Sequence, residues 1–111
     1  MVLGIIKTRC NLKEQQMYAV IFKAKEKQLD SEYSQMAQKM RELAFSKYNC
    51  KDFVATSEDG LEIAISYWES LEDIKRFKTD SQHLVAQELG QSKWYDGYKI
   101  EIVEILREYE R

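Results

Sequence analysis

The sequence predicts an α+β fold: a ferredoxin-like antiparallel four-stranded sheet with helices on one face. Three observations predict it. The hydropathy period switches from two to about three and a half at a single junction, the elements follow in the order β, α, β, β, α, β, and no linker-like stretch interrupts them. The junction is Tyr67-Trp68-Glu69-Ser70-Leu71-Glu72-Asp73. Before it, Leu61, Ile63, Ile65 and Tyr67 fall on one side of an extended chain, and Ala64, Ser66 and Trp68 on the other. After it, Leu71, Ile74 and Phe77 form a helical stripe. Ser70 is placed to accept a hydrogen bond from the Asp73 amide, and Asp73 sits well at the positive end of the helix dipole.

Residues 1–16 start apolar and then turn charged through Lys7, Arg9, Lys13 and Glu14, the pattern of an N-terminal arm more than of a core element. Tyr18-Ala19-Val20-Ile21-Phe22 is compact, β-branched and aromatic, so it reads as a strand that is apolar on both faces. Asp30 or Ser31 caps a helix whose stripe is Tyr33, Met36, Ala37, Met40, Leu43 and Ala44. A short strand at 53–56 turns through Ser57-Glu58-Asp59-Gly60 into the strand at 61–68. Beyond the Ser70 helix, a further helical segment runs from about Ser81 through Leu84, Val85 and Leu89, with Gly90 placed to terminate it. Trp94, Tyr95 and Tyr98 form an aromatic cluster before a long strand expected over 98–109, which is either buried on both faces or bulged. Helices can cover one side of such a sheet. The other is expected to pack on a second copy of the chain, with Val20 or Phe22 and the strand at 100–105 near the contact.

At 111 residues the chain is expected to be one domain, 1–111, able to withdraw roughly two-thirds of its unfolded surface from water. A formal net charge of −2, from mixed charges, gives no electrostatic footprint for nucleic acid or an anionic membrane, and neither partner is expected. The longest apolar run, 17–22, is far short of a membrane span, and the run at 1–6 is too short for a signal-peptide core, so a cytoplasmic location is expected. Cys10 and Cys50 lack the paired spacing of a zinc site or redox motif. Both read as free thiols, and no metal site is expected.

The residues resemble the antibiotic biosynthesis monooxygenase domain family, in a branch of small bacterial proteins without assigned function. The resemblance covers most of the chain beyond the arm. It runs through residues 18–22, then Tyr33, Met36-Ala37, Met40 and Leu43-Ala44, then Ser66-Tyr67-Trp68-Glu69-Ser70-Leu71-Glu72. It resumes at His83-Leu84-Val85-Ala86-Gln87, Gly90, Trp94-Tyr95 and Tyr98, and ends in Glu104 and Arg107-Glu108-Tyr109. The resemblance implies a dimeric α+β barrel, a homodimer with a pocket in each protomer between sheet and helices. It also implies a range of chemistries, from oxygenation of aromatic polyketides without metal or flavin, through haem degradation, to isomerisation and dehydration. Haem-degrading relatives carry a tryptophan and an iron-ligating histidine where this chain has Phe77 and Gln87, and neither residue can replace an axial imidazole.

His83 is the single histidine, and so the one side chain whose ordinary titration lies near neutrality. It is the leading acid-base candidate; a helix histidine that merely hydrogen-bonds or meets solvent is the competing role. Gln87, one turn on, shares its face. Trp68 can line a pocket and donate its indole N–H to a ligand oxygen, or serve as a core-edge tryptophan. Phe77, Trp94 and Tyr95 are candidates for contacting a ligand, with Trp94, Tyr95 and Tyr98 acting as a lid or as a packing anchor. Met36 and Met40 read as core fillers before pocket lining. No carboxylate pair, nucleophile elbow or phosphate loop competes with them. The expected function is a monooxygenase that needs no cofactor and acts on a small apolar or aromatic molecule. The alternative is a non-catalytic ligand-binding or stress-associated dimer of the same fold.

Overall fold

The structure, a computed structural model, describes residues 16–111. The expected N-terminal arm lies outside the described residues except for Gln16, and so does Cys10. The elements are β1 (Met17–Glu26), α1 (Ser31–Lys47), β2 (Asp52–Glu58), β3 (Leu61–Trp68), α2 (Leu71–Lys78), α3 (Ser81–Leu89), a π-helical turn (Gly90–Trp94) and β4 (Tyr95–Ile105). The four strands form one antiparallel sheet in the order β2-β3-β1-β4. This is the ferredoxin-like arrangement that the order of periodic segments predicts, with one more helix than the simplest form of that order requires.

Local chemistry sets the element ends. The Asp30 carboxylate accepts from the Tyr33 amide at 2.8 Å and starts α1. Ser70 Oγ accepts from the Asp73 amide at 3.2 Å and starts α2, as its spacing predicts. The β2–β3 hairpin closes through Asp59 and Gly60, both left-handed at φ 54° and 80°, between paired Glu58 and Leu61. A two-residue turn with both φ positive matches the strand twist, which is why glycine suits the second position.

Directly paired residues share a face of the sheet. Val20, Ser66 and Ile102 form one inner row, and Phe22, Ala64 and Ile100 the next. Ala19, Tyr67 and Val103 lie on the opposite, outer face with Ile21, Ile65 and Val54. The core sits under the inner face, where Met40, Ala44, Tyr48, Cys50, Ile74 and Phe77 close around Trp68. Burial pushes the Cys50 thiol above its ordinary range, and Cys50 is a free cysteine.

Several expectations need correction. Leu71 is 53% exposed and leaves the α2 stripe to Ile74 and Phe77. Leu84 and Val85 are each 50% exposed. They lie about 100° and 200° around the helix from His83, whereas His83, Ala86, Gln87 and Gly90 share the inward face. Gly90 does not stop the helix. It stays right-handed at φ −60° and ψ −46° and leads into the π turn. A Cβ there would lie 3.1 Å from the Tyr95 ring, so glycine is needed for close approach and not for chain reversal. The last strand is Tyr95–Ile105 and not 98–109; its register against β1 shifts between Lys25 and Glu26, opposite Tyr95–Gly97, while pairing over 97–105 is regular, so the two-sided apolar pattern of Ile100, Ile102, Val103 and Ile105 comes from alternation between the two faces and not from a bulge. Val20 and Phe22 lie on the helix side of the sheet, so they are not part of the outer face.

Candidate functional site

A cavity of about 460 Å³ lies between the inner face of the sheet and the helices. Trp68, Phe77, His83, Gln87, Trp94 and Tyr95 all line it, so one chamber brings together every residue that the sequence nominated. The strands and helices that place them are distant in the chain. β3 delivers Trp68, α2 Phe77, α3 His83 and Gln87, and the π turn with β4 delivers Trp94 and Tyr95.

One end of the cavity is built around His83. Its ring meets the Phe77 ring edge-on with centroids 4.5 Å apart, and Phe77 lies 5.5 Å from Trp68. Burial holds the His83 imidazole below its ordinary value near 6.5, helped by the Lys78 charge and opposed by Asp80. The ring is therefore neutral at neutral pH. The Gln87 side-chain amide lies 3.0 Å from His83 Nδ1. With the amide nitrogen donating, Nδ1 accepts and Nε2 carries the ring hydrogen, which makes His83 a donor. With the amide turned over, Nδ1–H donates to the amide oxygen and the Nε2 lone pair is open, which makes His83 a base.

Trp68 is 1% exposed, and its indole N–H donates to Ser66 Oγ at 2.8 Å. The expected donation from Trp68 to a ligand oxygen is thus already spent inside the protein, and the ring serves as a wall. Ser66 takes over as the polar atom at this position. Its hydroxyl accepts from the indole and keeps its own hydrogen for another acceptor, and Ser66 lines the cavity. Trp94 is also buried and donates to Asp30 Oδ1 at 3.2 Å. It packs edge-on against Tyr33 at 5.4 Å, the anchor role and not the lid.

The other end was missed from sequence. Among the described residues Glu62 is the one carboxylate lining the cavity, and both the Tyr33 hydroxyl and the Tyr95 hydroxyl, the latter at 3.1 Å, donate to its Oε1. Burial raises both phenols well above their ordinary value. The hydrogen bond to Glu62 adds to this at Tyr33, as the neighbouring Tyr33 hydroxyl and the Glu62 charge do at Tyr95, so both stay protonated. A signal for Glu62 existed: it lies two, four and six residues before Ala64, Ser66 and Trp68, and so shares their face.

No family model matches the chain. The uncharacterised protein YqjZ of Bacillus subtilis strain 168 is 32% identical over 92 residues, covering 82% of this chain and 81% of that protein. Among solved structures, a candidate antibiotic biosynthesis monooxygenase from Caulobacter crescentus CB15 superposes with a TM-score of 0.71 at 15% identity, over 89% of this chain and 98% of that one. A point mutant of SnoaB, a cofactor-independent oxygenase from Streptomyces nogalater, gives 0.69 at 9% identity, over 81% and 93%. The chain belongs to the family of YqjZ, which has the antibiotic biosynthesis monooxygenase fold. That fold also carries other chemistry. A hydroxynitrile lyase from Passiflora edulis superposes with a TM-score of 0.67 at 14% identity, over 86% of this chain and 99% of its own. The comparisons therefore give the fold, and the chemistry of the cavity is left to the residues that line it.

Proposed function

We propose that this member of the YqjZ family is a cofactor-independent monooxygenase that oxidises a small, flat aromatic molecule held in the cavity. The observation that carries the reading is His83, neutral and largely enclosed by apolar walls, with its tautomer under the control of Gln87. A phenolic substrate supplies the electrons itself. His83 Nε2 takes the hydroxyl proton, and the resulting electron-rich ring reacts with dioxygen. One oxygen atom replaces a ring hydrogen to give a quinone, and the other leaves as water with the ring hydrogen and the hydroxyl proton. Ser66 and the walls of the cavity keep the anion away from bulk water.

A second reading, a binding protein without turnover, is favoured by one observation: the Gln87 amide nitrogen faces Nδ1, which leaves His83 a donor. Incubating the protein with bicyclic and tricyclic phenols under labelled dioxygen, with mass spectrometry of the products, tests between them. Incorporation of one labelled oxygen atom per molecule, lost in His83→Ala, supports the oxygenase. Tight binding without incorporation supports the second reading.

We also propose a homodimer. The outer sheet face carries Ile21, Ile65, Val54 and Val103, no helix of the described residues lies on it, and packing sheet on sheet against a second copy would cover it.

A further inference from the structure

We propose that Glu62, with Tyr33 and Tyr95, forms the recognition end of the cavity and selects aromatic ligands that carry a hydrogen-bond-donating substituent, a hydroxyl or an aromatic N–H, over those that do not. The inference rests on the binding reading above and names the substrate class for the same chamber.

A carboxylate in a wall of aromatic and aliphatic side chains needs partners. Glu62 has two, and both donate to the same oxygen: Tyr33 and Tyr95 meet at Oε1, and Oε2 receives no hydrogen bond from the described residues. An ionised carboxylate offers about four acceptor positions, so two phenols leave capacity for a third donor. The phenols have no further hydrogen to give, because each hydroxyl has one and spends it on Glu62. An incoming group at this end therefore meets acceptors, and it is welcome if it donates and repelled if it offers lone pairs.

The surroundings set the rest of the ligand. Phe22 stands 5.5 Å from Tyr95 and 5.8 Å from Tyr98, and Tyr33 packs edge-on against Trp94, so the approach to Glu62 runs between ring faces and edges that suit a flat aromatic body. Glu62 and Ser66 are four residues apart on β3, about 13 Å along a strand. A ligand anchored at Glu62 thus projects its far side towards Ser66, Phe77 and His83. Glu62 and Tyr33 also border a shallow outer depression with Glu26 and Thr56, so the anchored group need not shed all of its water.

The test compares 2-naphthol with 2-methoxynaphthalene, probes of one shape that differ in the donor, by quenching of tryptophan fluorescence in the full-length protein. Wild type is expected to bind 2-naphthol at least about tenfold more tightly, the factor typical of a hydrogen bond to a charged acceptor. Glu62→Gln should cut that preference to about threefold or less. Circular dichroism of the variant reports on folding, and the wild-type comparison stands without any variant. Equal binding of the two probes by wild type overturns the inference and leaves the binding reading intact. A preference that survives unchanged in folded Glu62→Gln also overturns it. Failure of wild type to bind either probe overturns both.

Discussion

Among single residues, His83 concentrates the chemistry. Truncation in His83→Ala is expected to lower turnover by about 10²-fold or more with folding intact, the usual worth of a general acid-base group, measured as oxygen consumption with a phenolic substrate. Stability provides a second check. The folded pKa of His83 lies below its ordinary value near 6.5, so below that pH the unfolded chain binds more protons than the folded one. The stability attached to neutral His83 is complete above about 6.5 and is lost as pH falls from there through the folded value. The urea midpoint should therefore drop between pH 7.5 and 5.5, and His83→Gln should shrink the drop; an unchanged drop would show that other groups cause it. Haemin is expected to give no stoichiometric Soret shift, because the resemblance to haem-degrading relatives implies an axial imidazole at the position of Gln87, whose amide cannot replace it, and His83 lies one helical turn earlier. A sharp shift abolished by His83→Ala would overturn that expectation.

The elements owe their boundaries to a few side chains that act locally and to one that does not. Ser70 caps α2 by accepting from the Asp73 amide, so Ser70→Ala should cost about 1 kcal/mol in chemical denaturation. Gly90 looks, from its sequence position, like a helix terminator, and replacing it by alanine inside a right-handed segment would ordinarily gain stability. The opposite is expected. The new methyl would lie 3.1 Å from the Tyr95 ring, which cannot easily yield because Glu62 holds its hydroxyl and Phe22 and Tyr33 flank it. Gly90→Ala should therefore cost about 1–3 kcal/mol, the range for overpacking, and a stabilised variant in thermal melts would refute the packing account.

For the molecule taken entire, the two faces of the sheet have different fates. The inner face carries the cavity and the core. The outer face leaves Val54 and Val103 at 53% and 38% exposure beside Ile21 and Ile65, and among the described residues no helix lies on it. Sedimentation at micromolar concentration should show a dimer burying about 2,000 Å² or more, and Val54→Glu or Val103→Glu should shift it towards monomer while preserving the monomer's circular dichroism. A monomeric wild type would dispose of the sheet-on-sheet dimer.

The order of elements, a hairpin turn within 57–60 that the structure narrows to Asp59-Gly60, a cap at Asp30 or Ser31 that the structure gives to Asp30, the cap at Ser70, and the membership of His83 and Gln87 in one helical face can all be read from the chain. They are legible because hydropathy period, capping and turn conformation act over a few residues, within which the chain is its own environment. The remainder waited on tertiary packing. It put Val20 and Phe22 on the helix side, because register between strands, and not alternation within one, says which face is covered. It left Leu71, Leu84 and Val85 outside, because a helix buries the face that its docking chooses. It gave the Trp68 N–H to Ser66, and it joined Glu62 to Tyr33 and Tyr95 across 29 and 33 residues of chain, contacts that no local pattern encodes because the partners meet only when the sheet and the helices have closed on one another.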